Sequence, residues 1–300
     1  MYTIELANVR KAYGSFVAVD DLSFKIEPGG VFGLLGPNGA GKTSTIRMMI
    51  GITAPDSGKI SLFGRPFERK SLEKTGYLPE ERGLYKKMKV LDHLVFLGQL
   101  HGLETGSARQ KAIDWCERLE ISQKMQNKVE ELSKGMQQKV QFIGALLHEP
   151  EFIVMDEPFF GLDPVNATLL KDILLDLKKQ GRTLLFSTHR MDQVEKLCDS
   201  ICLINKGKAV LQGSLKEVKA QYGKNNVQIE YEGNGDFLEK NELVHSYNNY
   251  GNHVEVRLAP GADSQQLLRM VADRSRVSKF ELMEPSLEEI FIEVVGKNDA

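Results

Sequence analysis

The sequence predicts an α/β domain interrupted by a block of helices and followed by a small α+β domain. Three observations carry that expectation. To about Gly223, short β-branched runs alternate with longer helical patterns, the mark of a layered α/β architecture. Between about Lys86 and Glu149 the strand signals vanish. After Gly223 short strands return, interleaved with two helical patterns.

The elements follow in order. Thr3–Leu6, Ser23–Ile26 and Val31–Leu35 read as strands, and so do Phe152–Met155, Thr183–Ser187 and Ile201–Ile204. The last three are nearly continuous apolar runs, as expected for strands covered on both faces. Val90–Leu100, Ala108–Leu119 and Ser133–Leu147 read as helices, which makes residues of about 86–149 a helical subdomain inserted in the α/β core. The polar, turn-like run Gly223-Lys224-Asn225-Asn226 reads as a linker and divides the chain into residues 1–222 and 223–300. Beyond it, Val227–Tyr231, His253–Leu258 and Val277–Leu282 read as strands, and Asp263–Ala272 and Ser286–Val295 as helices. Glu230, Glu232, Glu255 and Arg257 alternate with apolar neighbours, which predicts one solvated sheet face.

Composition sets outer bounds. The chain has 300 residues, 41% of them apolar and 27% charged, enough for one large and one small domain with ordinary globular cores. A net charge of −2 shows no overall basic excess of the kind a nucleic-acid binder carries. No stretch approaches the roughly 18 consecutive apolar residues of a membrane helix, and Met1-Tyr2-Thr3-Ile4-Glu5 lacks the pattern of a signal peptide. A cytoplasmic location is expected. Cys116, Cys198 and Cys202 match no zinc spacing. They read as buried free thiols, with Cys198 and Cys202 spaced to meet across one helical turn.

The strongest local signal is Gly36-Pro37-Asn38-Gly39-Ala40-Gly41-Lys42-Thr43, followed by Ser44. It fits the P-loop pattern in full. The apolar run Val31–Leu35 enters it as a strand, and Ile46-Arg47-Met48-Met49-Ile50 leaves it as a helix. Glycines let the backbone wrap so that several N–H groups face the phosphates. The helix adds its positive N-terminal end. Lys42 is expected to set a charge on the β- and γ-phosphates, and the Thr43 hydroxyl to ligate Mg²⁺. The fold class is therefore α/β: a P-loop NTPase core with an inserted helical subdomain, plus a small C-terminal α+β domain.

Phe152-Ile153-Val154-Met155-Asp156-Glu157 is an apolar strand ending in two acids. Two charges ending a buried strand are costly without a cation or donors nearby. Asp156 at the strand tip can orient Mg²⁺ or its water. Glu157 points elsewhere and can accept a proton from the attacking water.

Leu132-Ser133-Lys134-Gly135-Met136-Gln137 precedes that acid pair and opens a helix. Here the sequence resembles the ATP-binding subunits of ABC transporters, whose signature reads Leu-Ser-Gly-Gly-Gln. Lys134 and Met136 depart from it in a way similar to the multidrug, antibiotic and sodium exporter branch. Ser133 sits where a hydroxyl and backbone N–H groups can meet a γ-phosphate, and Gly135 allows close backbone approach. The resemblance implies that this segment binds the ATP held by a partner subunit. It also implies that Gly161-Leu162-Asp163 is the loop that contacts the opposite subunit. His189, ending Ser187-Thr188-His189, resembles the switch histidine on the γ-phosphate, and Tyr13 the aromatic that stacks on adenine. Together the ordered motifs cover most of Tyr2–Gly213.

Family members commonly carry a Gln between core and helical subdomain, near Mg²⁺ or the attacking water. In Gly76-Tyr77-Leu78-Pro79-Glu80-Glu81 that position is Glu80. Glutamate can offer oxygen to Mg²⁺, but it adds negative charge beside a triphosphate. Leu84 to Leu94 is expected to form the groove for a membrane partner's cytoplasmic helix. Tyr85, Met88 and Val90 would give apolar contact among Lys86, Lys87 and Lys89.

The resemblance implies an ATPase that pairs head to tail, with a homodimer favoured. It would hold two ATP molecules with Mg²⁺ at the interface and lie peripherally on the inner face of the cell membrane through a separate permease, with export as the expected direction. Long coiled coils of the genome-maintenance relatives are absent from the pattern, since no sustained heptads occur. Ribosome-associated relatives carry two cassettes, where this sequence has one. Nucleic acid is not an expected partner. The C-terminal segment offers no identifiable chemistry.

Overall fold

A computed structural model of the chain describes residues 1–81, 83–222, 226–233, 236–239, 241–251 and 253–298. Of the expected linker, Gly223, Lys224 and Asn225 lie outside the described residues, as does Arg82 of the loop after Leu78. The chain forms two compact units, Met1–Gly213 and Ser214–Ala300. The sequence places the division at 222/223 by composition. In the structure it falls at the end of a strand, where Ser214 accepts the Glu217 N–H at 3.2 Å and caps a new helix.

In the first unit the elements are β1 (Ile4–Tyr13), β2 (Phe16–Ile26), β3 (Val31–Leu35), α1 (Lys42–Met49), β4 (Ser57–Leu62), β5 (Arg65–Pro66) and β6 (Thr75–Leu78). Helices α2 (Val90–Leu100), α3 (Thr105–Arg118) and α4 (Lys134–Leu146) come next. Then follow β7 (Phe152–Asp156), α5 (Pro164–Lys179), β8 (Thr183–Thr188), α6 (Met191–Leu197), β9 (Ser200–Asn205) and β10 (Lys208–Ser214). A four-stranded antiparallel sheet runs β2-β1-β4-β5. A six-stranded sheet runs β10-β9-β3-β8-β7-β6, with the β9-β3-β8-β7-β6 pairings parallel. Every residue of β3, β7 and β8 is buried, as their unbroken apolar runs require. Phe32 and Leu34 of β3 share one core with Ile46 and Met49 of α1 and with Leu6 and Leu22 of the other sheet.

This topology places the site. Four adjacent parallel strands end together: β3 at the glycine loop, β8 at Thr188, β7 at Asp156 and β6 just before Glu80. Ligands of open parallel sheets bind beyond those carboxyl ends. The Cys198–Cys202 expectation fails: Cys198 caps α6 while Cys202 lies in β9, so no shared helical turn exists. All three cysteines are free and buried.

The second unit holds α7 (Leu215–Gln221), β11 (Asn226–Glu232), α8 (Asp236–Glu239), β12 (Val244–Asn249), β13 (Val254–Leu258), α9 (Ser264–Arg274), β14 (Arg276–Met283) and α10 (Leu287–Asn298). Its antiparallel sheet runs β12-β13-β11-β14. Val227, Ile229, Val254 and Val256 pack with Leu267 and Val271 of α9. The opposite face is not simply solvated, which corrects the sequence expectation. Asn226 donates to both Glu289 oxygens at 2.7 and 2.8 Å, and Arg257 pairs with Glu293, so α10 covers part of that face.

Candidate functional site

The loop between β3 and α1 is shaped by glycine. Gly36 has φ 150° and Gly41 φ 107°. A Cβ on Gly36 would fall 2.2 Å from the Ile204 carbonyl oxygen, and one on Gly41 2.3 Å from that of Ala18. Only glycine fits either place. The loop is tied by Ala40 N–H to Pro37 O at 3.2 Å and by Gly207 N–H to Ala40 O at 2.9 Å. Asn38 and Gly39 at its tip are exposed, and Ser44 is half-buried in the first turn of α1. Lys42 is only 7% exposed and donates to Gly36 O at 2.7 Å and Pro37 O at 3.0 Å. Burial lowers the Lys42 pKa, against the raising pull of Glu157, Asp156 and Glu80.

Asp156, at the tip of β7, accepts from the Thr43 hydroxyl at 3.0 Å and the Ser187 hydroxyl at 2.7 Å. Strand register explains the second bond, since Asp156 pairs with Ser187 across β7 and β8. Burial raises its pKa despite both donors. Thr43 and Asp156 thus form a pair of hard oxygens beside the loop lysine, a donor set that suits Mg²⁺.

Glu157 leaves the strand with φ 49°, in the left-handed region. Its N–H still reaches Ser187 O at 2.9 Å, so the turn redirects the side chain without losing the backbone bond. Oε2 accepts the Thr188 hydroxyl at 2.9 Å. Oε1 accepts the His189 N–H at 3.1 Å and faces His189 Nδ1 at 2.7 Å. An ionised carboxylate is acceptor-only, so Nδ1 carries the proton. Oε1 is then saturated, and Oε2 retains one lone pair.

Glu80 follows β6. Burial, first, and the charges of Asp156 and Glu157 raise its pKa, and Lys42 opposes them. Lys42, Thr43, Asp156, Glu157, His189 and Glu80 are therefore gathered at one sheet end. The other expected residues are not joined to the loop. Ser133 caps α4, accepting Met136 N–H at 3.3 Å. A Cβ on Gly135 would lie 3.5 Å from Gly161 O, ordinary contact within the chain. Asp163 caps α5, accepting Asn166 N–H at 2.9 Å, and these bonds lower its pKa. Tyr13 ends β1, exposed, with Lys11 5.7 Å over its ring. Among the described residues no hydrogen bond, ion pair or ring contact ties Ser133, Gly135, Asp163 or Tyr13 to residues 36–44.

An apolar cavity borders the expected segment at Leu84 and His93, and the expected contacts Tyr85, Met88 and Val90 do not line it. This cavity of about 360 Å³ is bounded by Ile50, Ile52, Tyr77, Leu84, His93 and Leu97, with Gln141 alongside. Val90 is fully buried and offers nothing to a partner, which corrects that expectation. Tyr85 stacks edge-on with His93 at 5.7 Å and Phe96 at 5.5 Å. Ser187 and Thr188 as carboxylate partners, and Gln141, escaped sequence reasoning. The only sequence signal for the first two was their place before His189.

Comparison with known proteins identifies the family. The ABC transporter family matches residues 19–160, and the C-terminal domain of DrrA1-3-like ATP-binding proteins matches residues 213–295. The chain is 48% identical over 296 residues to the uncharacterized ABC transporter ATP-binding protein YhaQ of Bacillus subtilis (strain 168), covering 99% of each. It is 33% identical over 302 residues to Nod factor export ATP-binding protein I of Rhizobium sp. (strain N33), covering 98% of this chain and 97% of that one. A solved ATP-binding subunit of an ABC transporter superposes with a TM-score of 0.69 at 29% identity, over 74% of this chain and 93% of the other. With a P-loop core, an inserted helical subdomain and relatives matched end to end, the chain belongs to the ATP-binding subunits of ABC transporters and is an ATPase of that family.

Proposed function

We propose that two copies of this chain clamp MgATP between them, hydrolyse it, and drive export through a separate permease seated in the groove. One observation carries the reading: the site at the sheet end is half complete. The phosphate loop, the Thr43–Asp156 pair and the Glu157–His189 pair lie together, while Ser133 and Gly135 open a helix with no bond to that loop. A second copy supplies the missing half, its Ser133 helix closing over the γ-phosphate. Phe160 and Val165, 61% and 76% exposed, flank Gly161-Leu162-Asp163 and are apolar surface for the second copy to cover.

In this reading Lys42 and the loop N–H groups hold the β- and γ-phosphates, and Tyr13 stacks on adenine. Thr43, Asp156 and Glu80 would hold Mg²⁺, which would supply positive charge against that growing on the transferred phosphoryl group. Glu157 takes the proton of the attacking water on its remaining Oε2 lone pair, and His189 fixes that carboxylate. Hydrolysis weakens the clamp and the copies separate. Among the described residues no helix is long and apolar enough to cross a membrane. We assign passage to a permease whose cytoplasmic helix enters the apolar groove, with the chain on the inner membrane face. The relative named for Nod factor export supports export as the direction.

The test is ATPase activity per chain as a function of chain concentration at saturating MgATP. A site made by two copies gives specific activity that climbs with concentration and then levels. Constant specific activity down to the most dilute sample would refute the shared site.

A further inference from the structure

Gln141 stands between the groove and the nucleotide site. It lies on α4, borders the cavity, and is 7% exposed. Its Nε2 donates to Pro79 O at 2.7 Å and Glu81 O at 3.2 Å. Carbonyls only accept, so the nitrogen edge of the amide must face the loop. The opposite atom, Oε1, is buried without a partner.

Pro79 and Glu81 flank Glu80, the carboxylate that feels Asp156, Glu157 and Lys42. Among the described residues no backbone hydrogen bond outside the strands secures residues 79–81 or 83–84. The Gln141 amide thus tethers this loop on both sides of Glu80. Two bonds to one planar group fix both the position and the direction of the peptide units between them.

We propose that Gln141 is a positioning residue that, through its two bonds to the peptide units on either side, aims Glu80 at the metal side of the nucleotide. The inference rests on the reading of Glu80 as a Mg²⁺ ligand.

A double-mutant cycle on the full chain tests this without any permease. The readout is the affinity of a fluorescent N-methylanthraniloyl ATP with excess Mg²⁺, divided by that with EDTA. Gln141→Met keeps length and volume and removes both donated bonds. It should lower this Mg²⁺ advantage about threefold or more when Glu80 is present, and leave it unchanged in a Glu80→Ala background. Gln141→Leu, which also removes both donated bonds without adding a charge, should match Gln141→Met. Equal losses in both backgrounds, or none with Glu80 present, would overturn the inference alone. If Glu80→Ala by itself leaves the advantage intact, the Glu80 reading falls and the inference with it. Loss of the cooperative thermal transition in both Gln141 variants would also overturn it, since the amide would then serve the fold rather than the site.

Discussion

His189 Nδ1 lies 2.7 Å from Glu157 Oε1, the same oxygen that takes the His189 backbone N–H at 3.1 Å. One residue therefore grips one carboxylate oxygen twice, and Thr188 holds the other. Glu157 needs this support because its φ of 49° is strained for a glutamate. His189→Ala removes the side-chain donor and keeps the backbone one. It should lower kcat about 10–100-fold, the cost of a misplaced group, with MgATP affinity within about twofold of wild type. Steady-state kinetics beside nucleotide titration checks this, and an unchanged kcat would count against the assigned pair.

Asp156 yields a stability prediction with a definite sign. Burial holds its folded pKa above the unfolded value. Between those two values the folded chain binds more protons, so this group favours folding as pH falls and disfavours it as pH rises. Asp156→Asn removes the buried charge. At pH 7 without Mg²⁺ it should raise the Tm of the first unit by about 2–4 °C, a gain that shrinks as pH is lowered. The same variant should lose the added stabilisation that MgATP gives wild type. Thermal scans across pH with and without MgATP decide it; a lower Tm at pH 7 would contradict the assignment.

Gly36→Ala tests the loop. Its φ of 150° and the 2.2 Å approach to Ile204 O leave no room for a methyl group. The variant should lose at least about 2 kcal/mol of stability together with nucleotide binding. Chemical denaturation and nucleotide titration measure both, and wild-type affinity would show that the loop is not the cradle.

His93 gives a prediction in the acid range. Burial pushes His93 and His148 down to about 4 from the ordinary 6.5. Below pH 6.5 the unfolded chain takes up protons that the folded chain refuses, so stability falls from pH 6.5 toward 4 and then flattens. His93→Phe should make that fall shallower by about 1 kcal/mol per pH unit. Both His93 nitrogens are buried without partners, so the variant should also match or exceed wild-type Tm at neutral pH. Denaturation at a series of pH values would show an unchanged slope if His93 were solvated.

Local chemistry was legible in the sequence, and long-range pairing was not. Val31–Leu35 and Val90–Leu100 appear as read, and the acid pair ends a buried strand as expected. Strand β4 escaped notice because Ser57, Gly58 and Lys59 are exposed and only Ile60 and Leu62 face the core. Strand β6 is four residues long and contains Gly76, whose absent Cβ lets Ala145 O approach. Strand β12 is a polar edge strand with no two-residue alternation. Ser187 becomes a partner of Asp156 only once β7 and β8 are in register. Gln141 reaches Pro79 and Glu81 across some sixty positions of chain, with separations of 62 and 60. No local pattern encodes such a bond.

The shared-site claim is tested most directly by sedimentation velocity of the Glu157→Gln chain. This variant should bind MgATP, hydrolyse it at least about 100-fold more slowly, and sediment as a stable dimer with MgATP and as a monomer without it. Adding Gly135→Asp should return it to the monomer with nucleotide still bound. A Glu157→Gln chain saturated with MgATP that remains monomeric at every concentration would contradict the account.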